Sequence, residues 1–234
     1  MILQEEHAAV CRGLNETFGT TTIDDLRPET KGLSSDLVFR IVVRGSPFLL
    51  RIMTRIDEQN DPVRIFTCMR TAAEEGLTPR VRYVNTDDGV SITDFVEAIP
   101  LSRSEALVKL PETLRKLHSL PPFPKTFNYV TAHNFFVWKL RKASLLPNHE
   151  IDEVFTQYER LCAVYPRLDS DIVSSHMDLK PENVLFDGQR VWLSGWKAAF
   201  LNDRYFDLAI LANFLVDRRR RADLPRKVFR PSAR

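Results

Sequence analysis

The chain has 234 residues, 44% hydrophobic and 27% charged, ordinary values that exclude a disordered chain and allow one medium domain or two small lobes. Its eight glycines make no GxG, which excludes the dinucleotide fingerprint and the usual glycine-rich phosphate loop. The formal net charge of +2 is uneven: the last 18 residues hold eight basic and two acidic side chains, a net of +6, and the rest stands at −4, so the basic run is expected to be a solvated end and no nucleic acid is expected as partner.

In chain order, residues 2–18 keep Leu3, Val10, Leu14 and Phe18 at helical spacing and predict an amphipathic helix. Residues 20–22 and Pro28 mark a loop. Residues 37–43 and 48–53 are apolar runs around Arg44-Gly45-Ser46-Pro47, a hairpin signal. Asp61-Pro62 opens a helix that Gly76 closes. Residues 80–84 and 90–96 form a second hairpin around Asp87-Asp88-Gly89. Beyond residue 97 the pattern turns helical: Leu107, Leu110, Leu114 and Leu117 lie on one face, with Pro111 expected to restart the helix. Helices follow over 135–146 and 151–165, then short strands over 172–175, 184–186 and 191–193, and an apolar helix over 207–216. No apolar run reaches membrane-spanning length, since the longest, residues 208–216, is interrupted by Asn213. The acidic start MILQEEHAAVCRG is expected to carry no secretory signal. Cys11, Cys68 and Cys162 are odd in number and lack CxxC spacing, which points to reduced thiols in a cytoplasmic protein.

A β-rich first part and an α-rich second part give an α+β chain of two lobes with a cleft between them. The expected division is 1–97 for a helix and antiparallel sheet, 98–216 for a mainly helical lobe, and 217–234 for a poorly ordered basic tail.

The segment 175–187, SHMDLKPENVLFD, carries the chemistry. His176, Asp178 and Asn183 sit between two strand-like runs. A loop carboxylate such as Asp178 can accept a proton from a substrate hydroxyl, and an Asn oxygen is a hard ligand suited to Mg²⁺. Lys180, two residues after Asp178, can neutralise charge on a moving phosphoryl group. Positioning reactants and neutralising charge is most of what phosphoryl transfer asks of a protein.

From about Gly32 to Phe214 the chain resembles the choline kinase and aminoglycoside phosphotransferase superfamily, the small-molecule branch of the protein-kinase-like fold. The resemblance implies a two-lobed fold with a small β-rich N-lobe and a mainly helical C-lobe. It makes Asp178 the catalytic base of an HxDxxxxN loop, His176 the histidine that props it, and Asn183 a metal ligand. Arg51 takes the part of the strand cation on the nucleotide phosphates. Asp94, Phe95 and Val96, with Thr93, form the strand and hinge whose backbone pairs with adenine, and Asp207 braces the loop from the following helix. The implied cofactors are ATP and Mg²⁺, and the implied partner is a small, amine-containing acceptor whose hydroxyl is phosphorylated.

Three departures stand against that pattern. Gly195 in LSGWK stands where the family has a metal-binding Asp, and Lys197 where an acid often follows; Mg²⁺ binding is therefore expected to weaken, and Gly195→Asp to restore it. The helix over residues 62–75 has no early acid to pair with Arg51. The chain stops soon after Val216, where the family continues through further helices, so a shortened C-terminus is expected. Two functions stay open: an ATP-dependent small-molecule phosphotransferase, or a catalytically impaired, nucleotide-binding relative. A protein kinase ranks below both, because GxGxxG, APE and a DFG-type segment are missing.

Overall fold

The computed structural model describes residues 4–29, 36–126, 129–143, 148–165 and 168–215. The expected basic tail, Leu3, and the end of the helix expected over 135–146 lie outside the described residues.

The first half builds one antiparallel sheet in the order β1-β2-β3-β5-β4, from β1 (Asp25–Pro28), β2 (Leu37–Val43), β3 (Ser46–Ile52), β4 (Val81–Asn85) and β5 (Val90–Asp94). Phe39, Ile41 and Val43 of β2 and Phe48, Leu50 and Ile52 of β3 are buried in one cluster with Val10 and Leu14 of α1 (Gln4–Phe18). Period-two alternation then turns Arg51, between Leu50 and Ile52, to the sheet face away from α1. The β2–β3 hairpin is closed by Arg44 and Gly45, both at positive φ (51° and 75°), which a two-residue turn with the strands' own twist requires. Pro47 therefore belongs to β3, opposite Val42, and not to the turn.

β1 was not legible as a strand, and Pro28 is its last residue rather than part of a loop. It is an edge strand of four residues with one exposed side chain after another, so it carries no hydrophobic alternation, and proline is tolerated at such an edge. β5 stops at Asp94, two residues before the expected end.

Helix α2 (Pro62–Glu74) starts as its sequence dictates: Asp61 accepts from the backbone N–H of Val63 and Arg64, and proline follows at the first helical position. Gly76, at φ 65°, ends it, with Gly76 N–H bonded to Ala73 O and Leu77 N–H to Ala72 O, a Schellman closure. Helix α3 (Arg103–His118) opens on a capping box between Ser102 and Glu105 and runs through Pro111 without a restart. The bond Pro111 cannot make would end on the carbonyl of Leu107, an exposed residue, where water can substitute.

Helices α4 (Tyr129–Ala143), α5 (Asn148–Val164) and α6 (Arg204–Leu215) and strands β6 (Ile172–Ser175), β7 (Val184–Phe186), β8 (Val191–Leu193) and β9 (Phe200–Asp203) complete the chain. β6 pairs with β9 and β7 with β8. A second core joins Phe66 and Cys68 of α2 to Leu114 and Leu117 of α3, Trp196, and Leu208 of α6. Ile99 N–H bonds Phe186 O at 2.7 Å and Leu193 N–H bonds Leu77 O at 2.7 Å, which ties the strand-rich half to the loop-bearing half.

Candidate active site

The loop after β6 is held from beneath by one carboxylate. Asp207, on α6 and fully buried, accepts from His176 N–H at 3.0 Å and Met177 N–H at 2.7 Å. Its Oδ2 also lies 3.1 Å from His118 Nε2, at the end of α3. Met177 has φ 65°, a left-handed conformation that a residue of its kind rarely adopts. The two N–H bonds to Asp207, from His176 and from Met177 itself, lead into that conformation and hold the turn.

His176 is fully buried. Its Nε2 is 2.9 Å from Ser194 O and its Nδ1 faces Asp178 N–H at 3.3 Å, which fixes the tautomer with the proton on Nε2. The ring lies against Trp196, centroids 4.6 Å apart. Burial pushes the imidazole below its ordinary value of 6.5, against the opposing pull of Asp207 and Asp178. A neutral histidine thus ties the start of the loop to the strand end at Ser194.

Asp178, Lys180 and Asn183 converge. Asp178 Oδ2 lies 3.0 Å from Lys180 Nζ and accepts from Asn183 Nδ2 at 2.8 Å, while the same Nδ2 reaches Asp178 O at 2.7 Å. Asp178 keeps 37% of its side chain exposed, so the carboxylate is both oriented and open.

Gly195 faces Asn183. Its φ is 80°, and an added Cβ would stand 2.5 Å from Asn183 Oδ1. The short turn that follows, Trp196–Ala198, is anchored on two sides. Trp196 Nε1 donates to Thr78 Oγ1 at 2.7 Å, and Thr78 donates to Leu193 O. From α2, Arg64 donates to Ala199 O (2.7 Å), Lys197 O (3.0 Å) and Gln59 O (2.8 Å).

Arg51 has a partner after all. The missing acid of α2 is replaced by Asp36, just before β2, whose side chain is 2% exposed. Arg51 Nη1 lies 3.5 Å from Asp36 Oδ2, and Lys197 Nζ lies 2.9 Å from the other oxygen, Oδ1. Burial lowers the Arg51 pKa and Asp36 opposes that shift. One carboxylate thus bridges the strand cation and the lysine two residues beyond Gly195. Through Lys197, Gly195 and Asn183, Arg51 is linked by direct contacts and short backbone to the Asp178 loop. Of the expected hinge, Asp94 is engaged with Arg82 of β4 at 2.6 Å and Phe95 lies under Arg40, 5.2 Å from the ring centre.

The donor set does not fit a phosphate-bridging Mg²⁺. Such an ion needs carboxylate oxygens besides phosphate and water. Position 195 supplies none, Asn183 offers one neutral oxygen, the Asp178 carboxylate is engaged by Lys180 and Asn183, and Lys197 adds positive charge. Among the described residues no group of three His, Cys, Asp or Glu side chains could hold a metal.

Asp36, Arg64 and His118 were invisible as site residues. Asp36 reads as one polar residue in a loop. Arg64, Cys68 and Ala72 share a helical face, and an arginine on the face that carries Cys68 and Ala72 was the one available signal. His118 reads as a cation at a helix C-terminus.

A family model described as "Phosphotransferase enzyme family" matches residues 25–230. Protein LicA of Haemophilus influenzae is 25% identical over 183 residues, 72% of this chain and 52% of its own length, so the chain spans about half of that relative. The crystal structure of a choline/ethanolamine kinase family protein from Mesorhizobium loti superposes with a TM-score of 0.71 at 26% identity, covering 100% of this chain and 78% of that one. LicA in complex with AMP superposes with a TM-score of 0.73 at 16% identity, covering 95% and 79%. The fold is the two-lobed, kinase-like one these proteins share.

Proposed function

The chain belongs to the phosphotransferase enzyme family, and on that premise we propose that it is an ATP-dependent small-molecule phosphotransferase of the choline and aminoglycoside kinase type. The N-lobe, residues 1–97, carries the nucleotide phosphates on Arg51 and the adenine on the backbone of Asp94, Phe95 and Val96. The C-lobe, residues 98–216, carries the chemistry. Asp178 takes the proton of an acceptor hydroxyl as its oxygen bonds to the γ-phosphorus and the bond to the ADP oxygen breaks. Lys180 neutralises charge on the moving group, His176 fixes the loop, and Asn183 holds the Asp178 carboxylate in place. The acceptor is small and cationic, in keeping with the −4 charge of the first 216 residues. Three free thiols support a reducing, cytoplasmic setting, and among the described residues no helix is long and apolar enough to cross a membrane.

One observation carries this reading: Asp178, Lys180 and Asn183 meet within 3.0 Å on a loop braced by a buried carboxylate. A second reading, that transfer is impaired and nucleotide binding remains, is favoured by Gly195 and Lys197 in place of acids.

Incubation with ATP, Mg²⁺ or Mn²⁺, and a panel of choline, ethanolamine, aminoglycosides and amino sugars separates them. A phosphorylated acceptor supports the enzyme, and ATP binding without product supports the impaired relative. Self-phosphorylated protein, or a phosphorylated protein added to the panel, overturns both in favour of a protein kinase. Asp178→Asn abolishes transfer and leaves nucleotide binding nearly intact; unchanged turnover refutes the base assignment.

A further inference from the structure

Two cations and one anion meet where β3, the approach to β2 and the turn after β8 come together. Arg51 and Lys197 approach opposite oxygens of Asp36, at 3.5 and 2.9 Å, and these three side chains sum to +1. Arg64, whose guanidinium holds the carbonyl of Lys197 itself, brings a further positive charge to the same turn. An excess of partly buried positive charge over carboxylate is a site for an anion.

Lys197 is not a loose surface lysine. It is fixed at both ends, by Arg64 on its carbonyl and by Asp36 on its ammonium. It also stands two residues from Gly195, where the family pattern has a metal-binding Asp; that position has no side chain and is closed by the Asn183 amide. A divalent cation placed here meets an ammonium and a guanidinium and lacks the acid that would hold it. A phosphate meets the same two cations with the sign of charge they already bind.

We infer that nucleotide binds at this cluster without a divalent cation, its phosphates taking over Arg51 and Lys197 from the Asp36 carboxylate, which serves as the resident anion until then. This rests on Arg51 carrying the nucleotide phosphates, as proposed above. It adds that free ATP, and not its magnesium complex, is the species bound. The Arg fork suits phosphate oxygens, and Lys acts as a point charge beside it.

The test is calorimetric titration of the full chain with ATP, once in Mg²⁺ and once in EDTA. The dissociation constant in EDTA is expected to equal or lie below that in Mg²⁺. A value in EDTA more than roughly threefold above that in Mg²⁺ overturns the inference while leaving the nucleotide site standing. No binding in either buffer overturns both. Lys197→Met, with its melting temperature checked against the parent, is expected to weaken ATP binding in EDTA by roughly tenfold, about 1.4 kcal/mol. A folded Lys197→Met variant with the parent's affinity in EDTA also overturns the inference.

Discussion

A Cβ on residue 195 would stand 2.5 Å from Asn183 Oδ1 and 2.7 Å from Asn183 Cγ, so the missing side chain at Gly195 and the inward turn of the Asn183 amide are one feature. The backbone at φ 80° strains any side chain, aspartate less than most; the further obstacle is Asn183, which is bonded to Asp178 through Nδ2.

Gly195→Asp, which the family pattern suggests as a restoration, therefore meets a condition set by its neighbour. Alone, it is expected to cost about 1–3 kcal/mol of stability through overpacking. Combined with Asn183→Ala, it is expected to cost less than the two single changes together, because the shortened side chain vacates the space. Urea denaturation of the four proteins measures this, and strict additivity would show that the two positions do not compete.

Asp207 satisfies two successive backbone donors, the N–H of His176 and that of the strained Met177 itself, from a fully buried position. Asp207→Asn turns an amide N–H₂ toward a donor and leaves one buried N–H unpaired. The expected loss is about 1–3 kcal/mol, with faster amide exchange at residues 176–178 than in β2. Exchange at those amides unchanged from the parent would show that α6 does not hold the loop.

The strand runs and the loop chemistry were legible because they rest on local pattern. β2, β6, β7 and β8 fall where apolar runs end at turn residues, and Asp178, Lys180 and Asn183 meet because six residues of one loop cannot spread far. What escaped was whatever depends on distant partners. β9 has no alternation long enough to announce a strand and exists because β6 offers it an edge. Asp36 reaches Lys197 across 161 residues, and Arg64 reaches Ala199 across 135. The expectation that Arg51 lacks a carboxylate failed for the same reason: the family pattern places the acid on α2, and here it comes from the approach to β2.

The buried neutral His176 makes stability depend on pH. Its pKa is lower folded than its ordinary 6.5 unfolded, so below about 6.5 the unfolded chain binds a proton that the folded chain refuses. Stability from this group is complete above 6.5 and declines as pH falls toward the folded value, by at most about 1.4 kcal/mol per pH unit. Asp57, Glu105 and Asp187 are held below their ordinary values, chiefly by hydrogen bonds; their contribution is lost only near and below pH 4.5, outside the range between pH 7.5 and pH 5. Melting temperatures between pH 7.5 and pH 5 are expected to fall in the parent and to fall less steeply in His176→Asn. Equal slopes would mean that His176 does not stay neutral.

The thiols differ in the same physical way. Cys68 is fully buried between α2 and Ala199, and burial pushes its pKa up to about 12. Cys11 and Cys162 are partly exposed. A disulfide reagent at pH 8 is expected to modify two thiols per native chain and a third only after denaturation, since the thiolate is the reacting form. Rapid reaction of all three in the native state would contradict the burial of Cys68.

Arg64 supplies the clearest case of a positioning residue away from the loop. Its guanidinium caps three carbonyls, two of them in the 197–199 segment, and burial lowers its pKa. A lysine has one point of charge on a flexible stem and cannot serve three acceptors in fixed directions. Arg64→Lys is expected to lose about 1–3 kcal/mol of stability as buried carbonyls go unpaired. It is also expected to weaken ATP binding, because Lys197 is then held only through its ammonium. Arg64→Met removes the charge as well as the bonds. If Lys and Met variants weaken ATP equally, relative to their own stabilities, the fork geometry of Arg64 fixes Lys197; if only the Met variant does, charge alone is what the nucleotide senses.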